Sequence, residues 1–342
     1  MRAVLVEEFG GTPRLADVDD PTPAEHGVVV AVEATGVCRS DWHAWQGHDD
    51  DVTLPHVPGH ELAGTVVATG SRVGSWRVGD RVTTPFVTAC GTCPECAAGA
   101  QQVCRDQTQP GFTGWGSFAE FVALDHADVN LVALPEEFST STAAALGCRV
   151  ATAFRAVSDV AAVRPGEFVA VHGAGGVGLS AVAIAAAAGA RVVAVDPSPA
   201  ARQLARDFGA IATIGTEDVV AALRELSDGG AHVSIDAVGL PATCEASVRS
   251  LRRRGRHVQI GLLPAAAGRP AVPMDLVIAW ELQVLGSHGM AAHDYPRLLE
   301  LVRTGRFPLA DLVTRELPLE AGPRALAEVA GASTAGITVL RP

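Results

Sequence analysis

The chain contains no lysine: all 26 of its basic residues are arginine. Chemistry that needs a lysine amine, such as Schiff-base formation or the phosphate-binding lysine of a P-loop, is therefore excluded. We read the bias itself as codon composition in the source genome. Positive charge is also scarce. Against 38 acidic residues the formal net charge is −12 and the pI is near 5.3. Nucleic acids and anionic membranes need a basic surface, so neither is an expected partner. Long apolar runs are missing as well. The most apolar segment, "VGLSAVAIAAAAGA" at 177–190, is too short to span a bilayer and is followed at once by Arg191, so it reads as a buried helix. The first residues, "MRAVLVEEFGG", carry two acids and no secretory pattern. Cysteine is sparse and odd in number, at seven. In a long chain without a signal such cysteines read as reduced thiols, metal ligands or both, and the cytoplasm is the expected location.

A chain of 342 residues is too long for one ordinary core, so two domains are expected. Its 48% hydrophobic and 19% charged residues are a globular composition. The first 145 or so residues are rich in Gly, Pro and Val, with short runs such as "GVVVAVEATGV" and "GTVVATGSRV" that read as strands between turns. From about Ala151 the texture changes. "FVAVHG", "RVVAVD", "IATIG", "HVSIDAVG", "HVQIGLL" and "LQVLGSHG" read as short apolar strands. Helices are expected between them over "PAARQLARDFGA", "TEDVVAALRELSDGG" and "ATCEASVRSLRRRG". Apolar strands alternating with helices predict a parallel sheet covered on both faces, a doubly wound α/β domain. The last fifty or so residues carry helices around "YPRLLELVRTG" and "GPRALAEVA" and a final strand "GITVL", and read as a return to the first domain.

"HGAGGVG" places Gly173, Gly175 and Gly178 in a G-x-G-x-x-G pattern, followed by Asp196 eighteen residues beyond the last glycine. Alone the pattern is weak. Here it follows a strand, opens a helix and precedes an acid at the end of the next strand. In that context Gly173 permits a tight turn, Gly175 lets backbone approach a pyrophosphate, and Gly178 lets helix and strand pack closely. Backbone N–H groups at the helix start, from Gly176 and Val177, face the phosphates. Asp196 is expected to accept from the adenosine ribose hydroxyls and to repel a 2′-phosphate, which favours NAD over NADP. The following "PSPAA" offers no arginine, and Arg202 is the nearest basic residue.

Four cysteines crowd into fifteen residues: Cys90, Cys93, Cys96 and Cys104, spaced C-x2-C-x2-C-x7-C. Paired disulfides and an iron–sulfur cluster are alternatives, but short C-x2-C loops in a reducing compartment suit a tetrahedral zinc thiolate site. Four sulfurs leave no open position, so this zinc would be structural. Cys244, at helical spacing in "PATCEASV", reads as an inert buried residue. Cys38 in "TGVCRSDWH" and Cys148 in "AALGCRVATAF", with His60 and Glu61 of "VPGHELAG" between them, offer Cys2His with one position open. That is a catalytic zinc pattern.

With "GVCRSD", the stretch from Gly59 to Gly70, the four-cysteine lobe, "LGC" and "GAGGVG" in this order, the sequence resembles the zinc-dependent medium-chain alcohol dehydrogenases over essentially its whole length. The resemblance implies a mostly β GroES-like catalytic domain at 1–148 with a structural zinc lobe at 88–106. A Rossmann domain would follow at 149–288, with a return to the catalytic domain at 289–342. It implies two zinc ions per subunit. The catalytic one would be held by Cys38, His60 and Cys148, with Glu61 beside the metal and entering its coordination transiently. Ser40 matches the hydroxyl that takes the alcohol proton, and His43 the histidine that passes it onward. Arg39 matches a residue that contacts the pyrophosphate. Val238, the backbone at Ile260, Gly261 and Leu262, and Ser287 would line the nicotinamide. "LQVLGSH" resembles a strand that pairs across a two-fold axis, implying a homodimer or homotetramer.

The implied reaction is hydride transfer between a primary or secondary alcohol, or an aldehyde or ketone in reverse, and NAD. The alternatives are a polyol or other specialised zinc dehydrogenase, a relative acting on C=C bonds or quinones, and a cofactor-binding protein without turnover. Residues implicated in lining the substrate pocket are Trp42, Phe86, Trp115 and His288. Ser40 and Asp41 also read as helix caps. Two departures bear on cofactor affinity: there is no lysine after Asp196, and the last strand, "AGITVL", lacks a basic residue.

Overall fold

The structure, a computed structural model, describes residues 1–215, 218–264, 267–329, 331 and 335–342. Thr216 and Glu217, read as the start of a helix, and Ala330, read as the end of another, lie outside these. The chain divides into two compact units. The first comprises Met1–Ala151, Gly289–Leu299 and Leu309–Pro342, and the second Thr152–His288 and Glu300–Pro308.

The first unit is built on an almost wholly antiparallel seven-stranded sheet. Its centre is Val28–Val37, a β-branched run that pairs with Leu62–Thr69, Phe121–Leu124 and Ile337–Arg341. Strand alternation sends Val28, Val30 and Val32 into one core with Leu62, Val66, Val82, Val122 and Leu124. The last strand pairs Thr338 with Val37, so the C-terminal segment completes the first unit's sheet. That strand runs past "AGITVL" to Arg341, so contrary to the sequence reading it does carry a basic residue, which donates to Ser141 Oγ. A short parallel strand, Val313–Pro318, flanks it.

The second unit carries a six-stranded, all-parallel sheet. In spatial order the strands are Ala212–Ile214, Arg191–Val195, Phe168–His172, Ala231–Asp236, Leu251–Gln259 and Gln283–Gly286. That order, third strand to first and then fourth to sixth, is the doubly wound dinucleotide-binding topology, with its switch point at the Phe168–His172 strand. The helix Gly176–Ala187 has eight of its twelve residues buried, as its almost wholly apolar sequence requires, and the one hydroxyl, Ser180 Oγ, donates back to Gly176 O. The helices Pro199–Asp207 and Val219–Leu226 are amphipathic, and their N-caps Ser198 and Asp218 accept from Ala201 and Ala221 N–H.

Three elements differ from the sequence reading. The helix expected through "SLRRRG" ends at Arg249, and Leu251–Gln259 is a strand. Ser250 Oγ donates to Ser247 O and closes the helix, after which buried Leu251 and Val258 draw the segment into the sheet. Met274–Trp280, not read as an element, forms a short helix that lays Leu276, Val277 and Trp280 against Val248, Leu251 and Leu282. Residues 300–308, read as part of the return to the first domain, lie in the second unit, where the Arg306 guanidinium donates to Ala187 O at the end of the long apolar helix.

Leu223, fully buried beside Phe168, Val193 and Ile214, tests the second core. Leu223→Ala is expected to cost about 2–5 kcal/mol, seen as a lower urea midpoint with an unchanged slope.

Candidate active site

The first unit brings Cys38, His60, Glu61 and Cys148 together: one ligand atom from each lies within 4.8 Å of the others. Cys38 is the N-cap of the helix Arg39–Trp45, so its thiol leaves the first turn. His60 follows Gly59, whose φ of +107° and contact with Phe118 exclude any side chain. Cys148 stands in a π-helical turn, Leu146–Val150, packed on His60 and Glu61 through Gly147. Tyr295, the chain's single tyrosine, is fully buried and donates to Leu146 O at 3.2 Å.

One carboxylate ties the first two segments together. Asp41 Oδ2 accepts from Cys38 N at 2.8 Å, and Oδ1 accepts from Gly59 N at 3.1 Å and His60 Nδ1 at 2.7 Å. With Nδ1 donating, His60 Nε2 is the lone-pair nitrogen, and it is buried without a hydrogen-bond partner. An orphaned imidazole nitrogen beside two thiols fits a metal ion and little else. Without a metal, burial pushes His60 toward the neutral form, but the Asp41 carboxylate and then Cys38 outweigh it and hold the pKa well above the usual value, so a metal ion would displace a proton from Nε2. In the metal-free pair, the Cys148 thiol hydrogen-bonds to Cys38 and keeps Cys38 well below, and Cys148 well above, an ordinary thiol.

Glu61 is fully buried and pairs with Arg149, the residue after Cys148. Ser40 Oγ lies 3.9 Å from Cys38 Sγ. On the same helix His43 Nδ1 sits 3.0 Å from His48 Nδ1, with the Trp42 ring edge-on to both. Burial, then the neighbouring His48 and Arg39, lower the His43 pKa and favour its neutral, proton-accepting form.

The cysteine lobe contains free thiols, with sulfurs of Cys93 and Cys96 3.4 Å apart, Cys93 and Cys104 3.6 Å, and Cys90 and Cys104 3.5 Å. A zinc with bonds of ~2.3 Å would set tetrahedral edges of about 3.8 Å, so the set fits one. Thr92 and Cys93 N–H groups point at Cys90 Sγ and lower its pKa to about 6, favouring thiolate. Within the lobe, a bidentate pair joins Arg105 to Glu95.

In the second unit the glycine turn has the form that a pyrophosphate needs. Gly173 has φ +90°, a Cβ on Gly175 would meet nothing within 4 Å, and a Cβ on Gly178 would lie 1.8 Å from Gly173 O. The open face at Gly175, the N-cap of Gly176–Ala187, is thus free for a ligand. Asp196 accepts from Ala174 N and Ser198 N, both at 2.8 Å, and a carboxylate keeps further lone pairs for ribose hydroxyls.

Residues 24–136 match the family model for the alcohol dehydrogenase GroES-like domain, and residues 176–304 the model for zinc-binding dehydrogenases. Alcohol dehydrogenase 2 of Caenorhabditis elegans is 31% identical over 89% of this chain and 86% of its own. An alcohol dehydrogenase of Geobacillus stearothermophilus is 32% identical over 90% of both chains. Among solved structures, the alcohol dehydrogenase TADH from Thermus sp. ATN1 superposes with a TM-score of 0.91 at 30% identity, covering 100% of this chain and 99% of that one. The chain belongs to the zinc-dependent medium-chain alcohol dehydrogenase family. It is an alcohol oxidoreductase, and its two units are the GroES-like and Rossmann-like domains of that family.

Several residues of this alcohol dehydrogenase escaped the sequence reading. Asp41 looked like a helix cap, which it is, but nothing local announced that its other oxygen would reach His60. Arg149 carried no motif beyond its place next to Cys148. Asp236 accepts from Val238 N, Gly239 N, Thr243 Oγ1 and Gln259 Nε2 and so fixes the strand-end loop. Its backbone carbonyl accepts from Ile260 and Gly261. Ser287 N donates to Gln259 O, and Leu262 is 58% exposed at the same strand ends. Of the aromatics considered, Phe86 stands 6.1 Å from the His60 ring, and Phe112, not anticipated, 5.2 Å. Trp115 instead lines a separate hollow with Thr88, Thr108 and Leu124, and its indole donates to Pro55 O.

Asp41→Asn leaves one acceptor oxygen where two are used. Metal affinity at the Cys38 site is expected to fall about 10- to 100-fold while the cysteine lobe keeps its metal, measured by chelator competition.

Proposed function

We propose that this enzyme is an NAD-dependent zinc alcohol dehydrogenase acting on apolar or aromatic alcohols and the matching aldehydes or ketones. The observation that carries the reading is the buried, unpartnered His60 Nε2 set between the thiols of Cys38 and Cys148. Those three side chains would hold the catalytic zinc, and Cys90, Cys93, Cys96 and Cys104 a second, structural one. When bound, the zinc supplies Lewis acidity toward the alcohol or carbonyl oxygen and NAD supplies the hydride acceptor.

The chain's own residues then do the rest. Asp41 orients His60. Ser40, the second residue of the helix after Cys38, takes the hydroxyl proton, and neutral His43 relays it onward. The N–H groups around Gly175, Gly176 and Val177 face the phosphates. Arg39, exposed beside Ser40, is the first unit's candidate for a pyrophosphate contact, as the resemblance implies. Val238, Ile260, Gly261, Leu262 and Ser287, on the strand ends ordered by Asp236, face the nicotinamide. Asp196 supports NAD, because a 2′-phosphate would be repelled. The Arg202 guanidinium beside it already donates to the carbonyls of Asp196 and Pro197. A Sinorhizobium meliloti 1021 chain of the same fold, 30% identical, was solved bound to NADP, so this choice needs its own test. The Phe86 and Phe112 rings against His60 favour apolar substrates over polyols. The benzyl alcohol dehydrogenase of Acinetobacter calcoaceticus, with a TM-score of 0.92 at 26% identity over 99% of this chain, supports that preference.

The edge strand Gln283–Gly286 and the exposed Ile278 and Val284 beside it support a homodimer or homotetramer formed by edge pairing. No helix among the described residues is long and apolar enough to cross a membrane. The free thiols suit a reducing cytoplasm.

The decisive assay follows NADH and NADPH oxidation by zinc-replete protein against a panel of aldehydes and ketones. NADH turnover that vanishes in Cys38→Ser is the expected result. Equal activity in that variant would remove the metal mechanism, and a preference for NADPH would remove the role given to Asp196. Ser40→Ala should lower kcat by roughly 10²- to 10⁴-fold with metal content unchanged.

A further inference from the structure

Glu61 and Arg149 each follow a proposed zinc ligand in sequence, His60 and Cys148, and they form a closed pair in the interior of the first unit. Glu61 is fully buried and Arg149 is 5% exposed. Glu61 Oε1 accepts from Arg149 N at 2.9 Å and from Nε at 3.0 Å. Oε2 accepts from Nε at 3.0 Å and from Nη2. The arrangement is built for: a side chain at Gly36 would place its Cβ 2.2 Å from Glu61 Oε2 and 2.7 Å from Arg149 Nη2. Gly36 N also donates to Glu61 O at 2.8 Å, which fixes the carboxylate's own backbone.

That carboxylate is a hard anionic oxygen donor among the ligand atoms of Cys38, His60 and Cys148, all within 4.8 Å of one another. A zinc held by two thiolates and one imidazole has a fourth position open, and the nearest unneutralised carboxylate would compete for it. A guanidinium answers both parts of that competition. Its fork occupies the carboxylate lone pairs, and its charge cancels the attraction to the cation.

We propose that Arg149 is a positioning residue that withholds Glu61 from the metal and so keeps the fourth coordination position free for the substrate oxygen. The inference rests on the Cys38–His60–Cys148 metal reading and revises Glu61 from a transient ligand to a restrained one. It assigns Arg149 no contact with substrate.

The test uses full-length protein with cobalt(II) in the Cys38 site and imidazole as the probe of the open position, followed by the visible d–d bands. The thiolate-to-cobalt charge-transfer band of the wild type is read first; its absence would take down the metal reading and this inference together. With the band present, Arg149→Met should shift the imidazole-free spectrum and weaken imidazole binding at least tenfold, because Glu61 now holds the position. The double variant Arg149→Met with Glu61→Gln should bind imidazole as the wild type does, and Arg149→Lys should fall between. Unaltered imidazole affinity in Arg149→Met would overturn the proposal. So would a double variant as weak as the single, since the defect would then be structural. If Arg149→Met does not retain cobalt, Glu61→Gln decides alone. Unchanged imidazole affinity supports a carboxylate already withheld, and more than threefold tightening shows one that competes despite Arg149.

Discussion

The Asp41 carboxylate is the point on which the metal-binding unit turns. Its two oxygens take three N–H donors from segments that are about twenty residues apart. One donor starts the Cys38 helix, one belongs to the Gly59 turn, and one is the His60 ring. Removing this buried acceptor would leave all three donors without partners, at roughly 1–3 kcal/mol each. It would also free the imidazole to rotate and to exchange tautomers. His60 Nε2 is the nitrogen left to face a metal, and points where it does, because Nδ1 is committed to Asp41.

Charge explains what surrounds that point. Cys38, Cys148, Glu61 and Asp41 bring four acidic groups together around His60, and Cys38, Asp41 and Glu61 are buried. Arg149 is the only arginine buried among the described residues, and it is spent on Glu61. The pair is not evidence of extra stability, since buried ion pairs gain little over apolar packing, but losing either partner strands the other charge. Gly36 admits the pair at separations no side chain would allow, and Gly147 eases the tight packing of the π-helical turn on His60 and Glu61.

The second unit follows a similar plan with different chemistry. Asp196 ties the glycine turn to the next strand through Ala174 N, and Asp236 ties the fourth-strand loop to the fifth strand through Gln259. Both acids stand at the carboxyl ends of parallel strands, flanking the switch point, where the sheet leaves backbone N–H groups without strand partners. The close approach of Gly178 to Gly173 O sets the angle at which the long apolar helix leaves the turn, and the buried face of that helix keeps it there.

Local chemistry carried much of this into the sequence. Glycines at fixed offsets, cysteine pairs two residues apart and near-continuous apolar strands have meaning wherever they occur, because turn geometry, thiolate spacing and burial act over a few residues. Hence the parallel sheet, the glycine turn and the grouping of both cysteine-containing clusters were legible. The arginine run at 252–254 was misread as helix because its strand is fixed by pairing with Ala231–Asp236, a partner twenty residues away. Met274–Trp280 was missed because a seven-residue, almost wholly apolar run has no polar face to mark a helical period. Asp41 on His60, Arg149 on Glu61, Phe112 against the imidazole and His48 on His43 were decided only by the tertiary structure. A hydrogen bond or ion pair depends on distance in space, and the sequence by itself specifies which donors and acceptors exist, not which of them the folded sheets bring within 3 Å.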